Sequence, residues 1–120
     1  MVMAHELSPK ERPELVSLHK QLRALINTLR RFVDEEDYRH LEEAGRIHES
    51  IKSNKHYELL SGRIDLENNL KAMVATVAAA GGKLDDLTHG RLLDQAVYTI
   101  VRANIASTGL EFKLKRMRKG

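Results

Sequence analysis

From Leu15 the apolar residues recur at Leu18, Leu22, Leu25, Leu29 and Phe32, in alternating three- and four-residue steps. That period puts them on one stripe of a helix, and Ile26 and Val33 widen the stripe into a core-facing surface. Ser8 with Glu11 reads as a capping box with Pro9 at the first helical position. Pro13 would then remove a hydrogen bond in the second turn, so firm helix is expected from Pro13. A second helix is expected from Asp34, because Asp34, Glu35, Glu36 and Asp37 suit the positive end of a helix dipole. Val33 and Tyr38 stand at its two staple positions. It buries Leu41, Ala44, Ile47 and Ile51, with Glu35–Arg39 and Glu42–Arg46 as charge pairs on its wet side, so it reads as peripheral. Its end falls either at Ser53-Asn54 or at Gly62.

Asp65 is expected to cap a third helix through Leu66, Leu70, Met73, Val74 and Val77, ending at Gly81-Gly82, where glycine takes the left-handed turn without penalty. A fourth helix starts at Asp85, Asp86 or Thr88. It carries Leu92, Leu93, Ala96, Val97, Ile100, Val101, Ile105 and Ala106 around most of its circumference. Such a helix wants neighbours on two sides. The third and fourth helices are therefore expected to be the central pair, their alanines allowing close approach, with the first helix laid across them. No alternating strand pattern of useful length precedes residue 110, and the fold class expected is all-α, a small bundle of four to five helices.

Residues 110–120, LEFKLKRMRKG, are ambiguous: Leu110, Phe112 and Leu114 alternate as in a strand, whereas Leu110, Leu114 and Met117 share a helical face. Thr108 and Glu111 form a capping-box pair beside Gly109, and the composition favours helix, so a short fifth helix is the expectation. The chain then divides into a helical domain over residues 1–109 and a basic C-terminal segment over 110–120. Its length of 120 residues, with 42% apolar and 31% charged side chains, suits one core.

Charge changes this picture locally. The C-terminal segment carries Lys113, Lys115, Arg116, Arg118 and Lys119 against Glu111, a net of +4, leaving −1 of the chain's +3 for everything before Leu110. Lys20, Arg23, Asn27, Arg30 and Arg31 lie opposite the leucine stripe at helical spacing and form a second basic surface. Both surfaces suit phosphate contact without base readout. Aromatic stacking on single strands is disfavoured, since only Phe112 sits among cations. Phe112, with Leu110, Leu114 and Met117, points either to contact with another molecule or to packing on the chain's own bundle.

The chemistry-bearing residues give less. Absence of cysteine excludes disulfides, thiolate metal sites and thiol nucleophiles, and fits a reducing cytoplasm. Asp37–His40 and Asp86–His89 have one-face spacing, but both lie at helix starts where aspartate is a natural cap, so no metal is expected. Neither His-Glu-x-x-His nor Glu-x-x-His nor Gly-x-Ser-x-Gly occurs, and the GGK at 81–83 follows a helix and lacks the first glycine of a phosphate loop. Arg12 and His19 have a spacing seen in some helical ribonucleases, but one such coincidence is cheap in an arginine- and histidine-containing chain, and His19 beside the leucine stripe reads as a boundary residue. The longest apolar-rich run, residues 72–80, is nine residues, about half of what crosses a bilayer, and no secretory signal is visible at the N-terminus.

The leucine stripe of the first helix is too short for a free coiled coil, yet pairing two copies through part of helix 1 or helix 4 would bury what one small chain leaves exposed. A homodimer is expected. The functional expectation is a non-catalytic helical module that binds a protein partner, as adaptor, inhibitor or small subunit, with no cofactor. The alternative is a nucleic-acid-binding accessory protein. The candidate contact residues are Lys20, Arg23, Arg30, Arg31, Phe112, Lys113, Lys115, Arg116, Arg118 and Lys119.

Overall fold

A computed structural model describes residues 9–119, and side chains for residues 10–117. Every regular element among them is helical: α1 (Arg12–Glu35), α2 (Arg39–Lys52), α3 (Arg63–Ala79) and α4 (Asp86–Lys119), with 3-10 turns at Pro9–Glu11 and Tyr57–Leu59. Neighbouring helices run antiparallel. Gln21 reaches Ser50 while Asn54 reaches the Glu14 carbonyl, and His19 meets Glu111 while Tyr38 meets His89. Asp65 meets Tyr98 while Asn69 meets Gln95. The result is an up-down-up-down bundle measuring 54 × 21 × 20 Å. The long axis is set by α4, whose 34 residues span roughly 50 Å at 1.5 Å each.

The leucine stripe of α1 is the centre of the core. Leu15, Leu18, Leu22, Leu25, Ile26, Leu29 and Phe32 are all fully buried, covered by α2 on one side and α4 on the other. This corrects the expected central pair of α3 and α4. The reason is side-chain size: α3 offers Leu66, Leu70, Met73 and Val77 inward but alanine at 72, 75, 78 and 79, so it has less to bury than the leucine stripe. It also excludes the α1 stripe as a seam between copies, because the chain's own helices already occupy it.

Local boundaries follow the capping chemistry. Helix α1 does not stop at Val33 but continues to Glu35, and the chain turns at Glu36, the one non-glycine residue with positive φ among those described (φ 56°). The second helix starts at Arg39 rather than at Asp34, and the capping carboxylate is Asp37, which accepts the Arg39 N–H at 2.9 Å. Helix α2 ends at Lys52, the earlier of the two expected points. Asp65 is not a cap. Helix α3 begins two residues before it, after Gly62 at φ 70°, and its carboxylate faces α4. Gly81 and Gly82, at φ 62° and 81°, reverse the chain after α3 as expected. Asp85 caps α4 by accepting the Thr88 N–H at 2.7 Å. The Ser8–Glu11 capping box involves Ser8, which lies outside the described residues.

The largest departure is at the C-terminal end. There is no separate fifth helix: α4 runs unbroken through Thr108, Gly109 and Glu111 to Lys119, so residues 110–119 are its last turns. Leu110 is buried, and Leu114 and Met117 pack against the core from the same face. These three contacts continue the helical register of Ala103, Ala106 and Ser107, and burying them against α1 outweighs the cost of one glycine in the helix. No helix among the described residues is long and apolar enough to cross a membrane.

Candidate interaction surface on α4

With Ala96, Thr99, Ala103, Ala106 and Leu110 turned into the core, the opposite side of α4 faces solvent, and it is not polar. Of eight large hydrophobic residues left exposed among the described residues, six lie on this helix: Leu87, Val97, Tyr98, Val101, Ile105 and Phe112. Five of them, from Val97 to Phe112, are between 47% and 60% exposed. Tyr98, Val101, Ile105, Thr108 and Phe112 follow one another in three- and four-residue steps, so they form a single stripe about 20 Å long. Together these exposures leave roughly 500 Å² of apolar side chain in water, near the upper end of what a monomer carries.

One edge of the stripe is held in place. Tyr98 donates its hydroxyl to Asp65 at 2.7 Å, and Arg102 Nε stands 3.2 Å from the same carboxylate oxygen. The neighbouring carboxylate pushes the Tyr98 hydroxyl above its ordinary pKa, chiefly through this hydrogen bond. The side chain is therefore tethered to α3 at the α3–α4 edge.

The expected basic residues divide into two groups. Arg23 is not on the outer face of α1 but at its seam with α4, donating to Asn104 at 3.1 Å. Lys20 is exposed nearby, and because α4 returns beside the first half of α1, Lys113, Lys115 and Arg116 lie at the same end of the bundle. Arg30 and Arg31 are exposed towards the other end, roughly 25 Å along the axis from Lys113 at 1.5 Å per residue. The continuous patch joining both sets does not form. The side chains of Arg118 and Lys119 lie outside the described ones. Lys20, Arg30, Arg31, Lys113, Lys115 and Arg116 make no hydrogen bond or ion pair with another described residue, whereas Arg39, Lys52, Lys55, Lys71 and Arg102 do.

The histidines serve as braces between helices. Both Asp–His pairs separate: Asp37 is held by Arg39 at 2.7 Å, which keeps its carboxyl near a pKa of about 2, and His40 turns to Glu35 at 2.8 Å. His89 accepts the Tyr38 hydroxyl at Nδ1 and directs Nε2 at Glu36, 2.6 Å away, closing the α1–α2 turn over the start of α4. No group of three or more histidines and carboxylates among the described residues is placed to hold a metal ion.

Ser107 and Glu111 flank His19, and the trio has the composition of a hydrolytic triad. Ser107 Oγ is 3.1 Å from Nε2, and Glu111 Oε1 is 3.3 Å from that same nitrogen. A relay needs the hydroxyl and the carboxylate on opposite ring nitrogens. Ser107 is also almost wholly buried, so the arrangement ties α1 to α4. Arg12, seven residues before His19, has its Nε buried without a hydrogen-bond partner. A shallow hollow of about 380 Å³ between α2 and α3 is lined by Asp37, Arg39, Leu41, Glu42, Val77 and Gly82, and its one strongly perturbed carboxylate is already engaged by Arg39.

Phe112, expected as a contact residue and grouped with Leu110, is exposed, whereas Leu110 is core. Sequence reasoning missed Tyr98, Val101 and Ile105 as surface residues, having spread the apolar positions of α4 over two buried faces. The signal was their three- and four-residue spacing continued through Gly109 to Phe112. Compared with protein-family models, curated proteins and solved structures, the chain matches none.

Proposed function

We propose that this protein is a non-catalytic helical binding module, an adaptor, inhibitor or small subunit, whose working face is the apolar stripe of α4. The observation that carries this is the concentration of exposed large hydrophobics on one helix, at a spacing that matches the face of another helix. Ordinary surfaces scatter such residues singly. The test is affinity capture from native extract with the intact chain and with Ile105→Glu, at high salt. Species retained by the wild type and lost with the variant support the reading. An identical set from both would dismiss it. Phe112→Ala should act in the same direction, whereas Leu110→Ala reports on stability, since Leu110 is buried.

A second reading, phosphate contact, draws support from Lys20, Lys113, Lys115 and Arg116, which share one end of the bundle and have no acidic partner among the described residues. Four such contacts give a log–log salt slope of roughly −3 to −4 on duplex DNA. Binding that survives Lys113→Glu with Lys115→Glu, or that ignores salt, removes this reading.

A further inference from the structure

We infer that the α4 stripe is covered by a second copy of the chain, seated antiparallel along α4 about a two-fold axis midway between Val101 and Ile105. This rests on the interaction-surface reading above and names its partner. Such an axis is self-complementary. It sets Val101 against the partner's Ile105, Tyr98 against the partner's Thr108, and Phe112 beside the partner's Asp94 and Val97.

Charge selects the orientation. The first turns of α4 carry Asp86 and Asp94 against Arg91, while residues 110–120 carry a net of +4. Parallel pairing would lay two strongly basic ends together. Antiparallel pairing sets each basic end against the weakly acidic first turns of the other copy and opposes the helix dipoles, with Asp94 within about one turn of the partner's Lys113 and Lys115 and Arg91 opposite the partner's Lys115.

Gly109 agrees with this register, although Gly90 in the same helix is equally open. Gly109 lies inside α4, where glycine is less favourable than alanine by about 1 kcal/mol, yet a Cβ there would meet nothing within 4 Å. No packing within the chain calls for it. In the antiparallel register Gly109 falls opposite the partner's Val97, and the missing side chain leaves room for that valine and for Phe112 to lie flat. The area agrees with a reversible dimer: two faces of this size bury about 1,000 Å², the lower bound for a specific interface.

The test is sedimentation equilibrium of the full chain across the micromolar range, combined with cysteine cross-linking, which is clean because the sequence has no cysteine. The expected result is a monomer–dimer equilibrium, weakened at least tenfold by Ile105→Glu at an exposed site where folding is undisturbed. Asp94→Lys should weaken it several-fold, and adding Lys113→Asp and Lys115→Asp should restore it. Under oxidation Val101→Cys mixed with Ile105→Cys should form the mixed disulfide, and Phe112→Cys should not cross-link to itself. A dimer in which Phe112→Cys self-links overturns the antiparallel arrangement. A wild type that stays monomeric overturns the inference: if extract capture still depends on Ile105, the binding-face reading stands alone, and if it does not, both fall.

Discussion

The Tyr98 hydroxyl sits 2.7 Å from the Asp65 carboxylate, fastening the edge of the α4 stripe to the first turn of α3. Asp65 also takes Arg102, so its removal leaves two groups without their acceptor. Asp65→Ala is expected to lower stability by about 1 kcal/mol, read from urea denaturation, since the site is half-exposed and water replaces part of what is lost. It should also weaken self-association several-fold by releasing the Tyr98 ring, read from sedimentation.

Gly109→Ala separates folding from association. With helical backbone and open space at the added methyl, the variant should be more stable than the wild type by about 0.5–1 kcal/mol in dilute solution. Its dimer should dissociate more readily, because the methyl enters the space assigned to the partner's Val97. Stability and association moving in opposite directions is a combination that a purely local effect does not produce.

The bundle depends on α1 more than on any other helix. Leu22→Ala, at the middle of the buried stripe, is expected to cost about 2–5 kcal/mol, through lost burial and the cavity left between α2 and α4. Lys20→Ala, two positions away on the outer side, should change stability by less than about 0.5 kcal/mol. Thermal or chemical denaturation of the two variants checks the contrast.

His48 gives the fold an acid-side dependence. Its ring is buried between α2 and the 57–59 turn, where Nε2 lies 3.3 Å from the Tyr57 hydroxyl and that hydroxyl donates to Glu67 at 3.0 Å. Burial holds the imidazole below its ordinary 6.5, outweighing the attraction of Glu67. The unfolded chain therefore takes up a proton near pH 6.5 that the folded chain resists. The stabilisation is complete above that pH and is lost as pH falls from about 6.5 towards the lower folded value. His48→Gln should flatten the slope of melting temperature against pH between about pH 7 and pH 5 relative to the wild type; an unchanged slope would exclude His48 as its source.

Much of the architecture is written in local pattern. The three- and four-residue steps from Leu15 to Phe32 specify a helix with one buried face whatever packs on it, and Gly81-Gly82 ends α3 because a left-handed turn there carries no Cβ penalty. Other features depended on groups distant in sequence. Asp34 to Asp37 read as the start of a second helix, whereas Asp34 and Glu35 are the last residues of α1, and Asp37 accepts the Arg39 N–H as Phe32 and Tyr38 pack against each other across the turn. Thr108-Gly109 read as a break, and became helix interior because Leu110, Leu114 and Met117 find the core only if α4 continues.

By itself, then, the sequence determined the helical class, the buried face of α1, the turn after α3 and the concentration of positive charge after Leu110, since periodicity, backbone freedom and formal charge are properties of neighbouring residues. Only the tertiary structure decided which of α4's two apolar faces is core and which meets water, that Arg30 and Arg31 lie far from Lys113 and its neighbours, and that His19 braces α4 through one ring nitrogen. The physical reason is that α1 has one stripe to offer. It can cover one side of α4, and the other is left facing water.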